Sequence, residues 1–155
     1  MDFRISGLPS APFEPLFGLS AERLAELGIQ RRIADRSPGF PCRVSLVDAA
    51  RGEPVLLLNY EHLPVAGPYR SRHAIYVREN AREAHPAINE IPEQLRIRLL
   101  SLRAFDSAGL MREADVVDGA CAHDAIRRML GDPAVEFIHV HNARPGCYAA
   151  RVDRA

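Results

Sequence analysis

The segment from Val55 to Tyr60 limits the folds open to this chain more than any other part of the sequence. It is a continuous apolar run interrupted only by Asn59, and its length suits a β-strand. Runs of this kind are typical of strands that are buried on both faces. We therefore expect a central strand here, covered by other elements on each side.

Other periodic segments indicate an α+β fold. Residues 73–78 alternate as a half-buried strand does, so we expect them to pair with the central strand. Apolar residues recur at helical spacing across 119–130, and a glycine and a proline end the pattern just beyond. This segment predicts the clearest helix. Residues 97–105 predict a strand, although a helix over 93–102 is the alternative for part of that segment.

The last part of the chain predicts a β-hairpin. Two segments of strand character, 135–141 and 147–152, are separated by Arg144-Pro145-Gly146. A proline followed by a glycine suits a type II turn, because that turn needs a positive φ at its third position. We expect the two strands to be antiparallel neighbours.

The first 40 residues are the least regular part of the sequence. Three prolines between Pro9 and Pro15 cannot donate to a sheet, and a short helix capped by Ser20 follows them. We therefore predict a single α+β domain over 1–155, with an irregular region at 1–40. The main part, 41–155, is expected to hold a mixed, mostly antiparallel sheet and the clear helix.

Composition excludes several classes of function. The 20 cationic residues balance the 20 acidic ones, so no overall field favours nucleic acid or an anionic membrane. All 20 cationic residues are arginine. Without lysine there is no Schiff-base chemistry and no phosphate-binding lysine of a P-loop. The short motifs GxGxxG, GxSxG, HExxH and CxxC are also missing.

The sequence favours a cytoplasmic protein. The start of the chain lacks the charged and apolar regions of a signal peptide, and no apolar run reaches the length of a membrane span. Three widely spaced cysteines, Cys42, Cys121 and Cys147, suit free thiols in a reducing compartment. We expect no membrane partner and no nucleic-acid partner.

Three segments carry a resemblance to a known family: Pro38-Gly39-Phe40-Pro41-Cys42-Arg43, Leu57-Leu58-Asn59-Tyr60-Glu61-His62, and His139-Val140-His141-Asn142-Ala143-Arg144-Pro145-Gly146-Cys147. The chain resembles the domain of unknown function 1203 family of bacterial proteins, nearly from end to end. The resemblance implies no established activity. Any function must therefore be argued from the residues themselves.

His139 and His141 are the most specific candidate site. Alternate residues of a strand share a face and lie about 6.6–6.8 Å apart along it, so two imidazoles can meet one metal ion such as zinc. The pair is similar to the start of a histidine-triad motif, but Ala143 stands where that motif has its third histidine. A third metal ligand would have to come from elsewhere; the candidates are Glu61, His62, His73 and Cys147.

The alternative is that both histidines continue a half-buried apolar face and form hydrogen bonds with their neighbours. Three predicted strands nevertheless become polar along one face, ending at Glu61, Arg103 and His141. If these ends meet at one edge of the sheet, they form a pocket with apolar walls and a few polar groups. Antiparallel neighbours would separate them instead.

Cysteine chemistry is a second hypothesis. Cys147 lies near Arg144 and Cys42 is followed by Arg43, and a cationic neighbour favours the reactive thiolate. His62 is a further catalytic candidate. Free cysteines are often buried for packing, which is the alternative explanation and the one we favour for Cys121.

Anion binding by arginine is a third hypothesis, because the guanidinium group matches carboxylate and phosphate in two-point hydrogen bonding. The alternative is a set of surface ion pairs that contribute little. The predicted ligand-binding residues are Arg43, Tyr60, Arg103, His139, His141, Asn142 and Arg144.

Three functions follow from these residues. The first is a module that binds a small anionic molecule in a pocket at the sheet edge. The second is a small enzyme that uses a metal at His139 and His141 or a reactive cysteine. The third is a protein-interaction module, including a homodimer.

Overall fold

Antiparallel strand pairing organises nearly all of the chain. The computed structural model describes residues 1–155 and has an α+β fold with two antiparallel sheets. The strands are β1 (Phe3–Ser6), β2 (Gln30–Ile33), β3 (Pro54–Leu63), β4 (Ser71–Arg78), β5 (Leu99–Phe105), β6 (Met111–Asp118), β7 (Phe137–Asn142) and β8 (Tyr148–Arg154). The helices are α1 (Ala21–Glu26), α2 (Glu93–Arg96) and α3 (Ala122–Leu130), with 3-10 turns at Glu14–Leu16 and Gly119–Cys121.

The strands divide into a sheet of five and a sheet of three. The larger sheet has the order β1-β8-β7-β5-β6, and the smaller one has the order β2-β3-β4. The predicted α+β class is confirmed, as are the antiparallel pairing and the C-terminal hairpin formed by β7 and β8. Region 1–40 supplies an edge strand to each sheet, because β1 pairs with β8 and β2 pairs with β3.

The predicted central strand is β3, which lies between its two neighbours in the smaller sheet. It alternates more than the apolar run suggests. Leu56 and Leu58 are buried, whereas Leu57 is half-buried and Asn59 is exposed. Val55, on the same face as Leu57, is nevertheless fully buried against Ala34 and Ala49, so both faces are covered at the start of the strand and one face opens to water towards its end.

Helix α3 covers one face of the larger sheet. Ile126, Met129 and Leu130 of the helix belong to the same buried core as Leu102 of β5 and Val140 of β7. The predicted helix over 119–130 is confirmed; its first turn is a 3-10 turn. The strand and the alternative helix predicted around residues 93–105 both occur, one after the other: the short helix α2 comes first and the strand β5 follows.

The opposite face of the larger sheet packs against the smaller sheet. Phe105 and Phe137 contact Leu63 of β3, and Tyr148 of β8 joins the apolar core around Leu56. The larger sheet is therefore the middle layer of the molecule. Side chains of β5, β7 and β8 that point away from α3 meet those of the smaller sheet. None of the helices combines the length and the apolar character needed to cross a membrane.

Gly119 allows the chain to pass closely over α2 before α3 begins. A Cβ atom at this position would overlap the carbonyl oxygen of Leu95 and lie 2.7 Å from that of Arg98. We expect Gly119→Ala to lower the free energy of unfolding by about 1–3 kcal/mol, because the backbone must move to relieve the overlap. Gly67→Ala is the control, since nothing lies within 4 Å of its Cβ position. Urea unfolding measures both, and equal stabilities of the two variants would contradict the prediction.

Candidate functional site

Strand β7 places two histidines between the sheets. Val140 points to the core beneath α3, so its neighbours His139 and His141 point the other way, towards the smaller sheet. Both imidazoles are buried, with 2% and 1% of the residue exposed. Across the strand pair, His139 lies opposite Arg103 and His141 lies opposite Ser101. A histidine pair and an arginine therefore share this inner face.

A β-bulge in β3 brings a third histidine to the same place. Glu61 pairs with Arg72 and Leu63 pairs with Ser71, so His62 is the extra residue between two ladder positions. Bulges bend a strand and redirect the side chain that they carry. The Nδ1 atom of His62 lies 3.3 Å from Nδ1 of His139. The smaller sheet thus contributes an imidazole to the site on the larger one.

His73 completes a cluster of four histidines, which we call the histidine cluster: His62, His73, His139 and His141. Nδ1 of His73 lies 2.6 Å from Nε2 of His62. One nitrogen from each of His62, His139 and His141 lies within 4.8 Å of the other two. This separation is short enough for the three residues to hold one metal ion. His73 contacts both His62 and His141, whose ring centroid lies 5.2 Å from its own.

The hydrogen bond of His141 fixes which of its nitrogens is free. Its Nδ1 atom lies 3.0 Å from the carbonyl oxygen of Gly146. A carbonyl oxygen only accepts, so Nδ1 carries the proton and Nε2 keeps its lone pair. Metal-binding histidines in proteins are commonly oriented by such a hydrogen bond. The turn between β7 and β8 therefore leaves the Nε2 atom of His141 free to accept a hydrogen bond or to bind a metal ion.

Burial keeps the histidine cluster neutral. It lowers the pKa of His62 from 6.5 to about 4 and that of His141 to about 3. The pKa of His139 is lowered further, again chiefly by burial. The nearby charge of Arg103 lowers the pKa of these histidines and of His73 as well. Neutral imidazole is the form that binds metal ions.

A cavity of about 980 Å³ adjoins the histidine cluster, and His73 lines it. Asn142, at the end of β7, and Cys147, just before β8, lie in its wall. Most of its charged side chains are arginines, namely Arg36, Arg43, Arg96, Arg98 and Arg144. We call it the Cys147 cavity. The predicted pocket residues therefore fall into two neighbouring groups.

The predicted third metal ligands have different positions. Of the four candidates, His62 lies with the histidine pair and His73 lies behind it. Cys147 lies in the adjoining cavity. Glu61 forms ion pairs with Arg70 and Arg72 instead. The strand ends at Glu61, Arg103 and His141 do not all meet, because Asn59 and Glu61 lie on the face of β3 opposite to the one that carries the buried Leu56 and Leu58.

The residues predicted to bind a ligand do not all lie in one place. Arg103 lies with the histidine cluster, whereas Arg144 is exposed at the cavity. Arg43 is buried, and its Nε atom donates to the carbonyl oxygen of Tyr148 at 2.7 Å. Tyr60 packs against Phe13, with ring centroids 5.4 Å apart.

The three cysteines considered as reactive thiols differ in their access to solvent. Cys42 is buried, and its sulfur accepts hydrogen bonds from the backbone N–H groups of Ser45 and Arg78. Cys147 is partly exposed. Cys121 is exposed and lies just before α3 rather than in its core. Only Cys147 therefore lies in a polar cavity.

Tyr148 is a site residue that the sequence did not indicate. Its ring stacks on that of His62 with centroids 4.7 Å apart, and it meets His139 edge-on at 4.9 Å. A bulge places it opposite His141, because Val140 pairs with Ala150 and the next ladder pair skips a residue. A lone tyrosine at a strand start carries no signal for this role.

A family model described as protein of unknown function (DUF1203) matches residues 39–154. The chain belongs to this family. No curated protein and no solved structure gives a match. The three segments that carried the resemblance meet in this DUF1203 protein. His62 of the second segment contacts His139 of the third, and Arg43 of the first contacts Cys147 of the third.

The lowered pKa values of the buried histidines predict acid sensitivity. An unfolded histidine binds a proton near pH 6.5, whereas the folded ones do so only near pH 4 or below. Between these pH values the unfolded chain therefore binds more protons than the folded one. The histidines' contribution to the free energy of unfolding is fully present above pH 6.5 and is lost as the pH falls. We expect the free energy of unfolding of the metal-free protein to decrease between about pH 7 and pH 4.5.

Urea unfolding at a series of pH values measures this decrease, and we expect it to be smaller in His139→Gln. The same replacement at His123, which lies on α3 outside the cluster, controls for the general effect of removing a histidine. A decrease of the same size in all three proteins would show that other groups cause the acid sensitivity.

Proposed function

We propose that this DUF1203 protein binds a divalent transition metal ion through His62, His139 and His141, and that the metal takes an anionic ligand beside Arg103. The observation that carries the proposal is the approach of three imidazole nitrogens to within 4.8 Å of one another. They come from two different sheets. Sheet packing, and not only the spacing along one strand, creates the arrangement.

The distance between the Nδ1 atoms of His62 and His139 is compatible with a shared metal ion. Zinc–nitrogen bonds of about 2.0–2.1 Å in a tetrahedral site place neighbouring ligand nitrogens about 3.3–3.4 Å apart. The Nδ1 atoms of His62 and His139 are 3.3 Å apart. The second ring nitrogen of two of these histidines also has a hydrogen-bonding partner: His62 contacts His73, and His141 contacts the Gly146 carbonyl. Such partners orient the ligands of metal sites.

The donor set favours zinc or a similar borderline metal. Imidazole suits zinc, copper, iron and nickel, whereas magnesium and calcium require oxygen ligands. Three protein ligands leave a fourth tetrahedral position open, and catalytic zinc sites have this form. A metal in such a position activates a bound water molecule or polarises a bound oxygen.

Arg103 favours an anion at the open position. It forms one side-chain hydrogen bond, from Nε to the hydroxyl of Ser101 at 3.2 Å, and no carboxylate lies within ion-pair distance of it. Its strand position is directly opposite His139. The remaining donors of the guanidinium group suit a carboxylate or a phosphate. An anion there interacts with both the metal and the arginine.

Removing one ligand tests the metal site. We expect isothermal titration calorimetry of chelator-stripped protein with Zn²⁺ to give about one equivalent bound per chain. His139→Gln is expected to weaken the affinity about 100-fold or more, because one of three protein ligands is lost. His123→Gln is the control with the same change outside the cluster. Equal affinities of wild type and His139→Gln, with both proteins folded by circular dichroism, would refute the site.

Arg103 is tested separately with the cobalt-loaded protein, whose visible spectrum reports changes at the metal. We expect inorganic phosphate to change this spectrum, and Arg103→Gln to weaken its apparent affinity about tenfold while metal binding persists. Arg72→Gln removes the same charge from an arginine that pairs with Glu61, and it should behave as wild type. A phosphate response that is the same in all three proteins would remove Arg103 from the proposal.

A further inference from the structure

Arg43 is a buried cation without an acidic partner. Only 1% of the residue is exposed, and no carboxylate lies within ion-pair distance of its guanidinium group. Its donors reach the carbonyl oxygens of Pro41 and Tyr148 and, at 2.9 Å from Nη2, the sulfur of Cys147. A buried charge is costly unless it is paired. The sulfur of Cys147 is the one contacting atom that can carry a full negative charge.

Cys147 is accessible from the cavity. It is partly exposed, in contrast to the buried Cys42, and it lies in the cavity wall. The thiolate is the nucleophilic form of cysteine, and a cationic donor stabilises negative charge on sulfur. Arg43 therefore contacts a cysteine sulfur at the surface of a space that is large enough for a small molecule.

Asn142 provides an independent sign that the cavity wall is an incomplete polar site. The residue is 5% exposed and lies in the same wall as Cys147. Its Oδ1 atom is buried and accepts no hydrogen bond from the protein, and its Nδ2 atom lies 3.9 Å from the sulfur of Cys147. Leaving a buried acceptor unpaired costs about 1–3 kcal/mol, so native proteins rarely do so without a functional reason. A donor that reaches this atom, from a ligand or from a bound water molecule, would supply the missing partner.

The charges of the cavity favour an anion. Five arginines and one acidic residue, Asp118, lie in its wall, although the chain as a whole has no net charge. Three of the five arginines form ion pairs with acidic residues: Arg36 with Asp35, Arg96 with Glu93, and Arg98 with Asp48 at 2.6 Å. Arg144 is exposed at the rim and forms no ion pair. Its guanidinium group is free to meet a carboxylate or phosphate.

We propose that the Cys147 cavity binds a small anionic molecule that carries an electrophilic carbon, and that the sulfur of Cys147 attacks this carbon. In the step, a lone pair of the thiolate forms the S–C bond while the bond from carbon to its leaving group breaks. The leaving group departs with that electron pair, so no oxidant or reductant is needed. The proposal does not depend on a metal at the histidine cluster.

Two alkylating reagents of nearly equal size test the proposal. Iodoacetate carries a carboxylate and iodoacetamide is neutral; with either, the S–C bond forms as iodide leaves. We measure the rates at Cys147 and at the exposed Cys121 by peptide mass spectrometry, using metal-stripped protein. The rate ratio of iodoacetate to iodoacetamide is expected to be about tenfold higher at Cys147, because the cavity concentrates the anion. Equal ratios at the two cysteines would overturn the proposal.

Arg144→Gln separates binding of the anion from reactivity of the thiol. We expect it to lower the iodoacetate rate at Cys147 severalfold and to leave the iodoacetamide rate unchanged. Arg51→Gln removes an exposed arginine outside the cavity and should leave both rates as in wild type. Inorganic phosphate should protect Cys147 and not Cys121. An iodoacetate rate that is unaffected by Arg144→Gln and by phosphate would overturn the proposal.

Discussion

The burial of β7 on both faces is the constraint on which the site depends. All six residues of the strand are buried, including His139, His141 and Asn142. Because the side chains alternate, Ile138 and Val140 complete the core beneath α3, while the two histidines must find polar partners between the sheets. The bulge at His62, the carbonyl of Gly146 and the ring of Tyr148 supply those contacts.

Tyr148 connects the histidine cluster to the Cys147 cavity. Its ring stacks on His62, and its backbone carbonyl accepts the hydrogen bond from Arg43, which also contacts Cys147. Burial raises the pKa of the tyrosine well above its ordinary value, so the ring stays neutral. A shift of this one residue would alter both sites. We therefore regard them as neighbours that share a wall rather than as independent features.

Patterns within single elements predicted much of the fold and part of the site. The helix before Gly131, the C-terminal hairpin and the shared face of His139 and His141 all follow from periodicity. The inner face of β3 could not be predicted, because apolar residues occupy both faces of Val55–Leu58. The bulge that turns His62 towards β7 depends on pairing between distant segments, and no local pattern marks it. For the same reason the burial of Arg43 was missed.

Charge balance links the proposed metal to its anion. The three imidazole ligands are neutral, and the charge of Arg103 opposes the protonation of all three, as does that of Arg151 at His139. A divalent metal among these ligands would lie beside a second positive charge with no carboxylate in the ligand set. Repulsion in a partly buried site weakens binding of the metal alone. An anion bound to the metal and to Arg103 removes that repulsion, so metal binding and anion binding should each strengthen the other.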